Sequence, residues 1–527
     1  MSVSDDISDD ISDALIYAIN KGYQIHPDAF ALLRSINSDV NNIIKTIIEK
    51  KTKLKENRSI LIDDIKTVIS RNTVYNSINK PVSIVSIDDN DHYDKPLIYG
   101  DNNTQAIYEV LFDPTSKVNS TEGENGFLKL FRSRYEKSLK ILAMRSDSKR
   151  IKKIEKIKQE YNKKRSLNTS KRKNDDKTNN SNDDVETILL AGLLMSRRQQ
   201  KNMVEVTIDD MSGALSAVAT TEDLRNQISM LVSDQMVMLE IESQKRGRQN
   251  FLIRSITSPE IPEHMPNKSR SESYVLLTSD LHIGSKYFME TEFLRFIEWL
   301  SSDDDVGSKI KFLCIAGDVI DGVGIYPNQD KELKEIDASK QLMYAMRLLN
   351  QIPKHIEIFI IPGNHDLGRR ALPQSSLSPF IDRYTDNFHL IGNPSLIKLD
   401  GVKLLMFHGQ SLDDIIAATP GLSYSRPADA MKILLKARHL SPIYGERTPI
   451  APEEEDMLVI SEVPDIFHAG HVHIVDVGRY RNTLVINSGA WQSQTRYQQT
   501  MGIMPTPGIV ILINLSTLQL FQKNFII

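Results

Sequence analysis

The pattern of apolar and polar positions changes period several times along the 527-residue chain. Near the start, Leu15, Ile16 and Ile19 recur at helical spacing, and Gly22 is placed to end that helix. Pro27 suits a first helical turn ahead of Phe30, Leu32 and Leu33, and further helical patterns fall at 40–48 and 60–69. Residues 1–75 are expected to form a small helical domain. The signal is weak over 76–127, and a charged helix is expected over 128–163. Residues 166–184 are a run of Asn, Ser, Asp and Lys. That composition buries too little apolar surface to order itself, so 76–185 is expected to be a weakly structured, charged and largely disordered linker.

A period of two then takes over. Val204, Val206 and Ile208 alternate with polar residues, and Ser212-Gly213 marks a turn before a second alternating run over 214–220. A short helix fits 222–231. Strands over 237–241 and 251–256 flank Lys245-Arg246-Gly247, a hairpin signal. Five short strands with one helix predict an OB-like β-barrel over 186–262. Phe251 is almost its only aromatic, which favours a barrel used for docking over one that stacks bases. After a Pro-containing linker, residues 274–527 alternate strand-like runs with helical patterns and predict an α/β domain. That domain is expected to fold without residues 1–185.

Composition narrows the setting. Net charge is −4, which neither supports nor excludes nucleic acid, because only local basic surface meets phosphate. The single cysteine, Cys314, lies in an apolar run, so a buried thiol is expected and an intrachain disulfide is excluded. No stretch approaches roughly 20 uninterrupted apolar residues. A reducing, cytoplasmic location with no membrane contact is expected.

The chemistry-bearing motifs all lie in 274–527, each behind an apolar run: Asp280-Leu281-His282, Gly317-Asp318 through Asp321-Gly322, Gly363-Asn364-His365-Asp366, His408-Gly409, and Gly470-His471-Val472-His473. In α/β sheets ligands bind beyond the carboxyl ends of strands, so five strands would bring these side chains to one rim. Residues two apart in an extended segment point the same way, so Asp280 with His282, and His471 with His473, are expected to face one cluster. Asp318 is a short carboxylate able to bridge two cations, and Asn364 offers a neutral oxygen. A mixed imidazole, carboxylate and amide set suits transition metals such as manganese, iron or zinc better than calcium or magnesium. Two such metals can clamp both attacking and leaving oxygens of a phosphoryl displacement. One Gly-Asn-His-Asp or one His-x-His alone would be an ordinary loop or surface pair; five motifs at successive strand ends argue otherwise.

In this order the motifs resemble the calcineurin-like phosphoesterase superfamily. The runs 316–327, 439–442, 463–465, 487–495 and 505–507, with the upstream barrel, are similar to the small-subunit family of archaeal family D DNA polymerases. The resemblance implies a multidomain build: a small helical N-terminal domain, a flexible linker, an OB-like barrel, and a phosphoesterase domain made of a sheet sandwich flanked by helices. It implies a 3′→5′ exonuclease that proofreads single-stranded or frayed DNA 3′ ends and assembles with a large catalytic polymerase subunit. It implies two divalent transition metals, manganese first among them. One is assigned to Asp280, His282, Asp318 and His473, the other to Asp318, Asn364, His408 and His471. His365 is implied as a catalytic residue that is not a ligand, with Asp366 orienting it. Asp321 is expected to hold a ligand histidine, and Arg369 and Arg370 to contact DNA phosphates. Related eukaryotic subunits have lost metal ligands, whereas every matching ligand is present here. The alternatives are a non-catalytic scaffold subunit and a metallophosphoesterase acting on another substrate.

Overall fold

A computed structural model describes residues 105–120, 123–144, 150–171, 187–243, 251–302, 307–382 and 384–526, together with 84–86 and a few short stretches between 17 and 60. The chain divides into two units, Met1–Pro81 and Val82–Ile527. In the first, Tyr17, Ala18, Ile44, Lys45, Ile47, Ile48 and Lys51 are helical. Two short strands, β1 (Gln24–Ile25) and β2 (Ser59–Ile60), pair in parallel. Ile60, expected to begin a helix, is therefore a strand residue opposite Ile25. Leu15, Ile16, Ile19, Gly22, Pro27 and residues 61–69 lie outside the described residues.

The second unit contains a two-sheet sandwich and a closed barrel. Two strands precede the barrel, β3 (Ile84–Ser86) and β4 (Tyr108–Phe112). The barrel strands are β5 (Thr187–Gln200), β6 (Met203–Asp209), β7 (Ala214–Ala219), β8 (Met236–Ser243) and β9 (Phe251–Thr257). After them come β10 (Tyr274–Thr278), β11 (Ile310–Ala316), β12 (Glu357–Ile361), β13 (Phe388–Leu390), β14 (Ser395–Leu399), β15 (Val402–Met406), β16 (Ile466–Ala469), β17 (Asp476–Tyr480), β18 (Thr483–Asn487), β19 (Ile509–Asn514) and β20 (Leu520–Asn524). One sheet has the order β13-β12-β11-β10-β19-β20-β3, the other β17-β18-β16-β15-β14-β4. The strand pleat sorts the core. Val275, Leu277, Phe312, Cys314, Phe359 and Ile361 face the second sheet, meeting Ile397, Leu404, Met406, Ile466 and Ile486. Their neighbours Leu276, Leu313, Ile315, Ile358 and Ile360 face helices instead, packing on Phe293, Phe296, Leu342 and Leu349. Cys314 is buried between the sheets, and burial pushes its thiol pKa up.

The barrel closes in the order β5-β6-β7-β9-β8, with a helix, Glu222–Ser229, between β7 and β8. The span expected to be a linker instead contributes to both folds. β3 extends one sheet through β20, and β4 extends the other through β14. Helix α1 (Glu124–Ala143) lays Leu142 against Ala191, Leu193, Met236 and Met238 of the barrel. Helix α2 (Ile154–Lys171) buries Ile154 and Ile157 in the barrel core with Leu190, Val206, Ile208 and Leu239. A few fully buried aliphatic side chains, each contributing about 1.5–3 kcal/mol, anchor these helices. Composition averaged over the span hides them. Residues 172–186, the centre of the polar run, lie outside the described residues.

Candidate metal centre

All five motifs sit just beyond strand carboxyl ends: β10, β11 and β12 run parallel in one sheet, and β15 and β16 run parallel in the other. The loops are left-handed at the candidate ligands. Asp280, His282, Asp318, His471 and His473 have φ of 52°, 50°, 51°, 69° and 63°. The two x-spaced pairs therefore converge through paired left-handed residues, not through the extended backbone expected from spacing. Non-glycine residues in this region cost free energy and cluster at functional sites. Two glycines make the convergence possible: a Cβ on Gly363 would collide with the Asp318 carboxylate, and one on Gly470 with Ser279 and Asp280.

Neighbouring acceptors fix how the histidines point. His282 Nδ1 donates to Asp321 Oδ1 at 3.0 Å, which turns Nε2 inward, 3.0 Å from His473 Nε2 and 3.8 Å from Asp318 Oδ2. His408 Nδ1 donates to the Ala316 carbonyl at 2.8 Å, leaving Nε2 2.9 Å from Asn364 Oδ1 and 3.4 Å from Asp318 Oδ2. His471 Nε2 donates to Asp413 Oδ2 at 3.2 Å, so Nδ1 faces Asn364 Oδ1 at 3.0 Å. His473 Nε2 lies 3.4 Å from Asp280 Oδ1. In neutral rings, the inward nitrogens of His282, His408 and His471 carry lone pairs, and they meet only carboxylate and amide oxygens or another imidazole. Converging lone pairs without hydrogens between them are satisfied by cations. Burial disfavours a charged ring, yet the carboxylates outweigh it and draw His282 and His408 up to about 9. The same contacts hold Asp318 well below the usual carboxylate range against burial, through His408 and His365. The site calls for positive charge, and Asp280, His282 and His473, like Asp280, Asp318 and His408, are grouped closely enough to hold a metal ion. His282, Asp321 and His365 form a third such group.

The remaining candidates take distinct places. Asp321 is buried, receives Gln329 Nε2 at 3.1 Å and Gln492 Nε2 at 2.9 Å, and holds His282. His365 Nδ1 donates to the Asp321 carbonyl at 2.7 Å, and its Nε2 faces Asp318 Oδ2 at 3.9 Å. Asp366 does not orient His365. Its carboxylate accepts the backbone N–H groups of Gly363, Val319 and Ile320 at 2.8, 3.2 and 3.0 Å, tying two loops together. Burial, then Asp318, raises the Asp366 pKa to about 6. Arg369 is not free for DNA either: Nη1 meets Glu453 Oε1 at 2.6 Å and Nε donates to the Pro373 carbonyl at 2.7 Å. Arg370 is exposed at the rim. Outside the motifs, His389 stacks on Phe359, and His439 is buried against Asp456.

Sequence reasoning passed over Asp413, Gln329, Gln492 and Gln498. Asp413 holds His471 and is hydrogen-bonded to Tyr424, whose phenol is pushed to about 12 by burial and by Asp413 and so stays a neutral donor. In the sequence Asp413 is one more acidic residue in a helix first turn, five positions past His408, and nothing local marks it out.

The family model that describes the B-subunits of DNA polymerases alpha and epsilon matches residues 275–474. The DNA polymerase II small subunit of Pyrococcus furiosus is 35% identical over 438 residues, spanning 78% of this chain and 67% of that protein. The Archaeoglobus fulgidus protein of the same name is 34% identical over 409 residues, spanning 76% of this chain and 78% of its own. The Methanocaldococcus jannaschii protein of that name is 43% identical over 275 residues, 51% of this chain and 46% of its own. Among solved structures, an archaeal phosphodiesterase matches 47% of this chain and 98% of its own at 13% identity, with a TM-score of 0.25.

Proposed function

From the premise that the chain belongs to the family of archaeal DNA polymerase II small subunits, we propose that it is the small subunit of a replicative polymerase and carries a 3′→5′ exonuclease in its metal centre. The observation that carries this reading is the convergence of the inward ring nitrogens of His282, His408 and His471 on Asp280, Asp318 and Asn364. We assign one divalent transition metal, manganese for preference, to Asp280, His282, Asp318 and His473, and a second to Asp318, Asn364, His408 and His471. Bound there, the pair would supply Lewis-acid polarisation of a phosphodiester and of water.

The chain's own groups do the rest. Asp321, braced by Gln329 and Gln492, and Asp413, braced by Tyr424, keep the imidazoles aimed. Water attacks the terminal phosphorus, the bond from phosphorus to the penultimate 3′ oxygen breaks, and that oxygen takes a proton. His365 Nε2, held by the Nδ1 bond to the Asp321 carbonyl, is placed to move it. Asp366 keeps the His365 loop and the Asp318 loop in register. The partners are a large catalytic subunit, which the relatives' name implies, and a single-stranded or frayed DNA 3′ end. The barrel, of the OB kind, serves docking.

Full-length chain supplied with manganese and a 5′-labelled single strand should produce a ladder shortening from the 3′ end, with mononucleotide release. Hydrolysis of small diesters with intact DNA ends would refute the exonuclease reading, and a fully metal-loaded chain inert on both would leave a scaffold.

A further inference from the structure

The loops on the His471 side of the metal centre, beyond holding His471, are organised around one side chain. Helix α3 (Glu222–Ser229) belongs to the barrel, α4 (Glu290–Leu300) and α5 (Ala338–Leu349) to the first sheet; the next helix, α6 (Leu412–Ala418), begins with two carboxylates of different use. Asp413 holds His471. Asp414, buried, accepts the backbone N–H of Arg447 at 2.9 Å and of Thr448 at 3.0 Å, fixing the backbone that bears the Arg447 side chain. Thr448 Oγ1 donates to the Gln410 carbonyl at 3.2 Å, and Gln410 Nε2 donates to the Arg370 carbonyl at 3.1 Å. The His408 loop thus stitches two exposed arginines to one rim.

Arg447 Nη1 donates to Tyr424 Oη at 3.3 Å, and Tyr424 is hydrogen-bonded to Asp413. Three contacts therefore join an exposed guanidinium to His471. Tyr497, 61% exposed, lies within electrostatic reach of the same guanidinium. Its neighbour Gln498 touches His473 Nδ1 at 2.9 Å. A preset cation and an exposed ring thus flank the His471–His473 segment.

We propose that Arg447 and Tyr497 are the single-strand contacts of this site, the guanidinium taking a backbone phosphate and the phenol ring the face of a base upstream of the 3′ end. The inference rests on the exonuclease reading and names how its substrate is held. An arginine keeps further N–H donors after one is spent, and a phosphodiester accepts them. An exposed ring stacks on any unpaired base, whereas a duplex would hide that face. A protein ligand carrying acidic groups would engage the arginine and ignore the ring.

The test is binding of a 5′-fluorescein oligothymidylate to the full chain in EDTA, by anisotropy across a salt series. Losing one single-strand phosphate contact in Arg447→Gln should flatten the slope of log affinity on log salt by about 0.7, about fivefold in affinity per decade of salt. Tyr497→Ala should weaken binding by on the order of tenfold, Tyr497→Phe should bind like the parent, and an abasic strand should erase the difference. Manganese content of each variant should match the parent. An unchanged salt slope in Arg447→Gln would overturn the phosphate contact, and parental affinity in Tyr497→Ala would overturn the base contact. A parent that binds with this salt and ring dependence but leaves 3′ ends intact with manganese would refute the exonuclease reading while supporting the contacts. Variants that bind like a parent that does cleave would refute the contacts alone.

Discussion

Replacing Arg134 with methionine tests what joins the barrel to the two-sheet sandwich. Arg134 comes from α1, is 1% exposed, and bonds Asp456 Oδ2 at 2.8 Å, the Pro442 carbonyl at 2.6 Å and the barrel's Asp234 carbonyl at 3.3 Å. Asp456 also accepts from His439 Nε2 at 3.0 Å, and His439 Nδ1 accepts the Ser441 N–H at 3.0 Å. Burial, with Arg134 nearby, lowers the His439 pKa to about 4, so the ring is neutral and Arg134 supplies the compensating charge. Arg134→Met leaves a buried carboxylate whose cationic partner is gone, a loss of about 3–5 kcal/mol. At about 1.4 kcal/mol per decade, amides of α1 should exchange with deuterium about 10²–10⁴-fold faster. Adding Asp456→Leu should recover part of the loss, because the orphaned charge goes with it. The pH dependence has a definite sign. Burial opposes ionisation of Asp456, but His439 and Arg134 outweigh it and hold its pKa below the usual range. A depressed carboxylate pKa contributes stability that is complete above the unfolded value, about 3.9, and is lost as pH falls below it. The contribution of this carboxylate to the parent's stability should therefore be full at neutral pH and fall away below about pH 4. Unchanged α1 protection in Arg134→Met would refute the view that this buried pair couples the two domains.

Asp318→Ala should lose both metals and nuclease activity together, as read by metal analysis and end-shortening; an unchanged metal content would refute the bridging assignment. His365→Ala should keep its metal while turnover falls about 10²–10⁴-fold, and loss of metal instead would make His365 a ligand. A chain starting at residue 82 should keep the cooperative melt of the second unit. One starting at residue 186 should be protease-sensitive, because it lacks Arg134, the Ile154 and Ile157 anchors, and the edge strands β3 and β4. A stable, monodisperse chain from residue 186 would show those contacts to be dispensable.

The residues of the candidate metal centre could be grouped from the sequence because their signal is local. Asp, His and Asn beside glycine, just past an apolar run, identify a strand end whatever lies elsewhere, and the five parallel-strand ends do assemble them. Barrel strands were legible for a similar reason, since the alternation over 204–208 is written into consecutive residues. The left-handed backbone at both members of each spaced pair was not legible, because non-glycine residues adopt it only when surrounding loops force it. Nor were the roles of Asp366, Arg369 and Asp413. Each is a common charged residue whose partner is distant in sequence or is a backbone amide, so its use depends on which loops pack together. The same holds for 84–171: three-residue and exposed edge strands, and charged helices anchored by a few isoleucines, carry too little periodic signal to be read alone. Sequence determined which atoms are available for the chemistry. Only tertiary packing decided which nitrogen of each histidine points inward and which charges are buried as struts, because those depend on acceptors brought in from the far ends of the chain.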